Sequence, residues 1–332
     1  MSRADIERAL APSSPLRHCA IIAGVGLCGL LLPDQWPLLA RIAVMALFVL
    51  SLDLVVGIAG LATLGHVAFF GMGAYAAGIV ALRWSADPLL GLAAGAAAGA
   101  ATAAVSGLLV LRYQGFTFLM LTVAVAQILH SLANKLRGWT GGDDGLSGFV
   151  IDPVLGIAPF DLEGKVAYLY ALAVLVGSYY LVKRIVDSPF GLSVRGIHQC
   201  RPRMPALGTQ VGLQLWKIYV VAGLFAGMAG AVSAQISGIV GLDSFGFSLS
   251  AEALVMLILG GAGRLYGALV GAAIFMVLHH TASSINPYHW LFVIGGLLMA
   301  IVLVPRASLA AWFRAMPRPW AHGARAGKQE AA

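Results

Sequence analysis

The sequence predicts an all-α fold, a polytopic bundle of transmembrane helices, and three observations carry that prediction. Of the 332 residues, 60% are hydrophobic and only 11% are charged, whereas a soluble domain carries roughly 25% charged residues. The apolar residues are gathered in long runs, and a helix needs about 20 of them to cross a bilayer. The runs lack the strict alternation of a barrel strand, and lipid leaves helices and closed barrels as the two workable kinds of span.

The first run, 18–32, follows Arg17 and is not followed by an A-x-A cleavage site. It reads as a first membrane helix, not as a secretory leader. Further runs lie at 37–56, 64–82, 88–111, 116–132, 166–182, 218–240 and 290–304, which makes eight. The stretch 250–280 is also apolar but is interrupted by Gly260, Gly261, Gly263 and Arg264, predicting two short helices joined by a tight turn. The expected total is about ten. Around them the sequence divides into a tail, 1–17, a membrane domain, 18–305, and a basic tail, 306–332, with two longer loops at 134–165 and 187–216.

Net charge is +7. The basic residues fall between apolar runs instead of along one exposed face, so they argue for membrane topology and not for nucleic acid. Arg3, Arg8 and Arg17, then Arg112, then Lys183, Arg184, Arg195, Arg201, Arg203 and Lys217, then Arg264, and finally five residues of the tail fall on one side. The other side holds Arg83, Lys135, Arg137 and Lys165, together with the acidic Asp143, Asp144, Asp152, Asp161 and Glu163. The positive-inside rule then predicts that both termini and loop 187–216 are cytoplasmic and that loop 134–165 is external.

Enzyme motifs fail on inspection. Gly24-x-Gly26-x-x-Gly29 spells a dinucleotide fingerprint inside a membrane helix, without the strand and turn that give that motif its mechanics. Gly164-Lys165 and Gly327-Lys328 are followed by Val166 and Gln329, so neither is a Walker A and ATP hydrolysis is not expected of this chain. Cys19, Cys28 and Cys200 lack metal or redox spacing and read as free thiols. His279, His280 and His289 read as interfacial, not as metal ligands. Among the ionisable residues inside apolar runs, Asp53, His66 and His130 stand out as candidate pathway markers, placed near helix ends and not as a mid-membrane proton relay. Glycines recur every fourth residue at Gly91, Gly95 and Gly99, at Gly223 and Gly227, and at Gly263, Gly267 and Gly271, the spacing that lets helix backbones approach.

The run from Gly57 and Gly60 through Gly65-His66 to Phe69-Phe70 and Gly73-Ala74-Tyr75 resembles the signature of branched-chain amino-acid ABC permeases. Leu111-Arg112, Thr140-Gly141-Gly142-Asp143-Asp144-Gly145-Leu146, Ser250-Ala251-Glu252, Leu259-Gly260-Gly261-Ala262-Gly263-Arg264 and Pro305-Arg306 fit the same family in the same order. The resemblance covers roughly residues 37 to 306 and favours the LivM-like subunit type. It implies half of a translocation channel in a bacterial inner membrane. The implied partners are a LivH-like second permease, two cytoplasmic ATPases holding ATP and magnesium, and a periplasmic solute-binding protein, with no cofactor on this chain.

By the same resemblance, Arg195, Arg201, Arg203, Ala206, Leu207 and Gly208 belong to the ATPase-coupling loop. Asp53, His66, Gly260 and Gly261 are candidates for the path, and Gly141, Gly142, Asp143 and Asp144 for docking of the binding protein. Four positions depart from the family: Gln199, near which an acidic residue is usual, Pro202 and Pro205 in a run that is otherwise helix-favouring, and Asp53 in place of a usual Asn. A coupling helix beginning near Pro205 would survive, whereas one spanning both prolines would be broken. The competing reading is a self-contained secondary transporter or channel, with its site at the interrupted helices. A membrane enzyme or scaffold ranks last.

Overall fold

The computed structural model describes residues 35–149, 151–153 and 164–285, with positions 295, 296 and 299. The expected span at 18–32, all but three positions of that at 290–304, and both tails lie outside the described residues. The principal helices are α1 (Trp36–Asp53), α2 (Val67–Arg83), α3 (Pro88–Val110), α4 (Phe116–Lys135), α5 (Lys165–Val186), α6 (Pro189–Cys200), α7 (Val211–Ser237), α8 (Phe247–Gly260) and α9 (Leu265–Ile285). Among the described residues six stretches are long and apolar enough to cross a membrane: Trp36–Ile58, Pro88–Val110, Phe116–Lys135, Lys165–Val186, Val211–Ser237 and Leu265–Ser284. α2 and α8 are apolar but shorter. The expected interruption of 250–280 is present as the turn between α8 and α9.

Helix ends follow local chemistry. Pro88 occupies the first turn of α3, where its missing N–H costs nothing, and the Asp87 carboxylate accepts from the Leu89 N–H at 3.0 Å. Ser188 caps α6 in the same manner, accepting from the Gly191 N–H at 3.4 Å, with Pro189 in the first turn. Gly238, with φ 66°, closes α7 in the left-handed conformation that glycine adopts without strain.

The centre of the structure is the meeting of α2, α3 and α7. Their facing positions are Gly73 on α2, Gly95 and Gly99 on α3, and Gly223 and Gly227 on α7. A methyl group added at Gly99 would collide with the backbone of both Gly223 and Gly227. Lipid tails are as apolar as leucine, so association inside a membrane depends on such close van der Waals contact more than on hydrophobic burial. One polar lock accompanies it: Gln235 on α7 donates from Nε2 to the Pro88 carbonyl at 2.8 Å and accepts from the Tyr170 hydroxyl of α5 at 2.7 Å. α1, buried along almost its whole length, packs against α5 and α7.

A two-stranded antiparallel pair ties loop to helix. Leu146 pairs with Val240 and Ser147 with Ile239, so the segment after α4 is fastened to the end of α7. Gly227→Leu is expected to force α3 and α7 apart at an overpacking cost of about 1–3 kcal/mol. Thermal melting in detergent checks it: Gly227→Leu should melt earlier, while Gly177→Leu on α5, where an added side chain meets open space, should leave the melting temperature unchanged.

Candidate functional site

α1 does not end as an ordinary helix. At Asp53 it passes into a π-helical turn, Leu54–Ile58, with the Ala59 N–H reaching the Leu54 carbonyl at 3.1 Å and the Leu61 N–H reaching Val55 at 2.9 Å. Such turns widen the backbone and are frequent at functional sites. This one carries Gly57 against the turn between α8 and α9, so closely that a methyl at Gly57 would strike the Gly263 backbone and the Asp53 carboxylate. Asp53 is fully buried, and its Oδ1 accepts a 2.7 Å hydrogen bond from the Gly263 N–H. Gly263 has φ 81°, a conformation other residues rarely adopt. The carboxylate therefore latches the end of α1 to the interruption 210 residues further along the chain.

Gly260 and Gly261 lie at the same interruption. Gly260 closes α8 against the backbone of Gly267 and Gly271 on α9, and Gly261 carries φ 99° at the helix end. Of the four residues proposed for the path, Asp53, Gly260 and Gly261 are thus gathered around one turn. His66 is placed elsewhere. It is buried between Phe48 and Phe69, with Nε2 2.9 Å from the Ser51 hydroxyl. That hydroxyl lies 2.6 Å from the Phe48 carbonyl, to which it donates, so His66 is the donor to Ser51 and carries its proton on Nε2. Ser250 of α8 accepts from the Val67 N–H at 3.1 Å and satisfies an otherwise free donor at the start of α2.

Loop 187–216 is half helical. α6 precedes both prolines: it ends at Cys200, and Pro202 and Pro205 each fall in the first positions of a single 3-10 turn, Arg201–Arg203 and Pro205–Leu207. The helix is neither spanned nor broken by proline, because the rigid ring is placed where no intrahelical N–H is needed. α6 buries Gly191, Val194 and Ile197, leaving Leu192 exposed, while the following turns expose Arg203, Ala206, Leu207 and Gly208. Arg201 is half-buried. α6 also reaches the segment that follows the π turn, through an exposed residue. His198 packs on Gly60, directly after the π turn, and the Arg195 charge lies within electrostatic range of Asp53.

The segment after α4 is a chain of turns. Gly141, Gly142 and Gly145 all have positive φ, and the Thr140 hydroxyl donates to the Ala133 and Leu136 carbonyls. Asp143 and Asp144 are exposed, and Arg137 meets Asp143 at 3.2 Å with both side chains largely in solvent. Such an exposed pair contributes little stability. Arg83 donates to the Gly138 carbonyl at 2.7 Å while its guanidinium lies 4.0 Å over the Trp139 ring. Among the described residues no group of three or more His, Cys, Asp or Glu side chains converges as a metal site.

Helices of crossing length, an interrupted pair latched to their core, and a structured basic loop define a multi-pass membrane protein of the transport class. The chain belongs to the family described as branched-chain amino acid transport system / permease component, whose model matches residues 37–302. The high-affinity branched-chain amino acid transport system permease proteins LivM of Salmonella typhimurium and of Escherichia coli are each 26% identical over 280 residues, 76% of this chain and 64% of their own length. The chain thus spans just under two thirds of those relatives. The D-allose transport system permease protein AlsC of Escherichia coli is 25% identical over 228 residues, 66% of this chain and 68% of its own. No solved structure matches.

The sequence reading missed the π turn, the helix α6 and the Asp53–Gly263 contact. Ser188-Pro189 is a helix-start signal that could have found α6; nothing local announces the other two. Asp53→Ala is expected to strand the Gly263 N–H and cost about 1–3 kcal/mol, the penalty of an unpaired buried donor. Asp53→Asn keeps the acceptor oxygen and should be far milder. Melting temperatures of the two purified variants check the order, and an equal loss in both would remove the hydrogen bond as the reason Asp53 is there.

Proposed function

We propose that this chain is the LivM-like permease subunit of an ATP-binding-cassette importer in a bacterial inner membrane. It would form half of the path for branched-chain or related amino acids or small amides. A LivH-like permease would supply the other half, two cytoplasmic ATPases would bind ATP and magnesium, and a periplasmic binding protein would deliver the solute to the side of Gly141, Gly142, Asp143 and Asp144.

The observation that carries this reading is the way α6 joins a candidate docking loop to the membrane core. Its exposed neighbours, Arg203, Ala206, Leu207 and Gly208 with half-buried Arg201, offer an ATPase an apolar and basic contact. Its His198 lies against the segment that ends at Gly60. A push on α6 from below would reach the π turn through His198, and the α8–α9 interruption through Asp53 and Gly263. Rigid-body movement of packed helices needs no chemistry in the membrane, which suits a chain whose energy source is elsewhere.

Purification from native membranes in mild detergent tests the reading. Co-purification of P-loop subunits with vanadate-sensitive ATPase activity is the expected result; clean absence of both would favour a self-contained transporter working at the α8–α9 interruption. Within the assembled complex, Leu207→Asp with Gly208→Glu is expected to weaken ATPase docking about tenfold, equivalent to about 1.4 kcal/mol, and to uncouple hydrolysis from uptake. Unchanged coupling in a variant that still assembles would remove this loop as the docking site.

A further inference from the structure

α4 is the least enclosed of the six described spans. Of its apolar stretch 22% is buried, against 89% for the stretch that contains α1. The buried side carries Phe118, Thr122, Ala126 and Ala133. The open side divides into two stripes of different chemistry. One holds Ile128 and Leu132, both exposed, and suits lipid. The other runs Thr117, Met120, Ala124, Gln127, Ser131 and Asn134, at alternating spacings of three and four residues that keep it on one face. All of these are exposed except Asn134, which is half-buried.

The neighbouring helix shows what a lipid-facing surface looks like in this protein. The exposed residues of α3 are leucine, alanine and valine throughout, among them Leu90, Ala97, Val105 and Leu109. Gln127 is different. It is about 16 Å into a helix about 30 Å long, near the bilayer midplane, and its amide makes no hydrogen bond to another described residue. A free amide at that depth is costly in hydrocarbon, and polar residues there face water or a partner. The stripe also leads somewhere. At the end of α4 that the charge distribution places outside, an open polar cavity is lined by His130, Ser131, Asn134, Lys135 and Arg137. Ser131 and Asn134 belong to both stripe and cavity.

We infer that this face of α4 lines the solute path, with the His130–Arg137 cavity as its outer mouth and Gln127 at its middle. The assignment rests on the reading of the chain as a transport permease and gives that permease its solute-facing residues. Thr117, Gln127, Ser131 and Asn134 offer hydroxyl and amide groups that exchange hydrogen bonds with a small polar solute. Lys135 at the mouth, beside Arg137, whose charge is shared with Asp143, selects for a solute bearing a carboxylate. Met120 and Ala124 leave the wall smooth between the polar groups, so that the solute is passed on and not held.

Cysteine scanning in the complete importer tests the inference. Cys19, Cys28 and Cys200 are first replaced by serine, and single cysteines are placed at Thr117, Ala124, Gln127, Ser131, Ile128 and Leu132. Thiolates, which form in water and not in lipid, attack a water-soluble, membrane-impermeant methanethiosulfonate to give a mixed disulfide and release methanesulfinate, so the first four positions should react about tenfold faster or more than the last two. Saturating carboxylate-bearing solute should slow reaction at Gln127→Cys and Ser131→Cys. Uniformly slow labelling in a complex that still imports would overturn the inference, showing the stripe covered by another helix of this chain or by the second permease, and would leave the importer reading intact. Labelling at Ile128→Cys and Leu132→Cys as fast as at the stripe would also overturn it. Labelling is read without ATP, so a stripe that reacts as expected in a protein lacking ATP-driven uptake would sink the importer and keep the path.

Discussion

Everything described here depends on three helix backbones being allowed to touch. Inside a membrane there is little hydrophobic gain from burying leucine against leucine, so a bundle is held by contact distance and by the few polar groups that find partners. α2, α3 and α7 meet at Gly73, Gly95, Gly99, Gly223 and Gly227, where backbone lies against backbone and against the methyl groups of Ala103 and Ala231. Gln235, bonded to both Pro88 and Tyr170, fixes the register of that contact by leaving a buried amide no better place to go. With the centre so closely drawn, α1 can be enclosed on nearly all sides, and the end of α1 is held still enough for its last carboxylate to reach another segment.

That reach gives the interior its long-range connection. Asp53 and Gly263 are joined by one hydrogen bond, and the π turn carries Gly57 up against the same backbone. Below it, α6 rests on Gly60 through His198. The loop, the turn and the interruption therefore form a contiguous set of contacts, so that a displacement at one has a mechanical route to the next. α4 stands apart from this set. It shares fewer contacts with the core, and its free face carries polar residues that the core does not use.

Much of the fold was legible in advance because apolar run length is a local property. The runs at 88–111 and 116–132 became α3 and α4 within a few residues, and Gly260, Gly261 and Gly263 marked the break between α8 and α9. Pro202 and Pro205 were read as a threat to a helix in this loop, yet both sit beyond the end of α6, which Ser188 and Pro189 start earlier. The candidate site was less legible. Asp53 stood out as an ionisable residue in an apolar run and Gly260 and Gly261 as an interruption, whereas the contact between Asp53 and Gly263 spans most of the chain and leaves no trace in either neighbourhood. The stripe on α4 was present in the letters as Thr117, Gln127, Ser131 and Asn134, but periodicity alone does not say which side of a helix is covered.

The sequence by itself determined that the protein is a bundle of membrane helices, roughly where they begin and end, and which family it belongs to. Those follow from hydropathy, proline and glycine placement, and motif order, all of which act over a few neighbouring residues. The tertiary structure alone decided that a carboxylate in α1 holds the α8–α9 turn, that α6 leans on the π segment, and that α4 keeps a polar face open. Each of these is set by which surfaces are left over once the glycine-lined helices have packed, and that is a property of the whole chain in three dimensions.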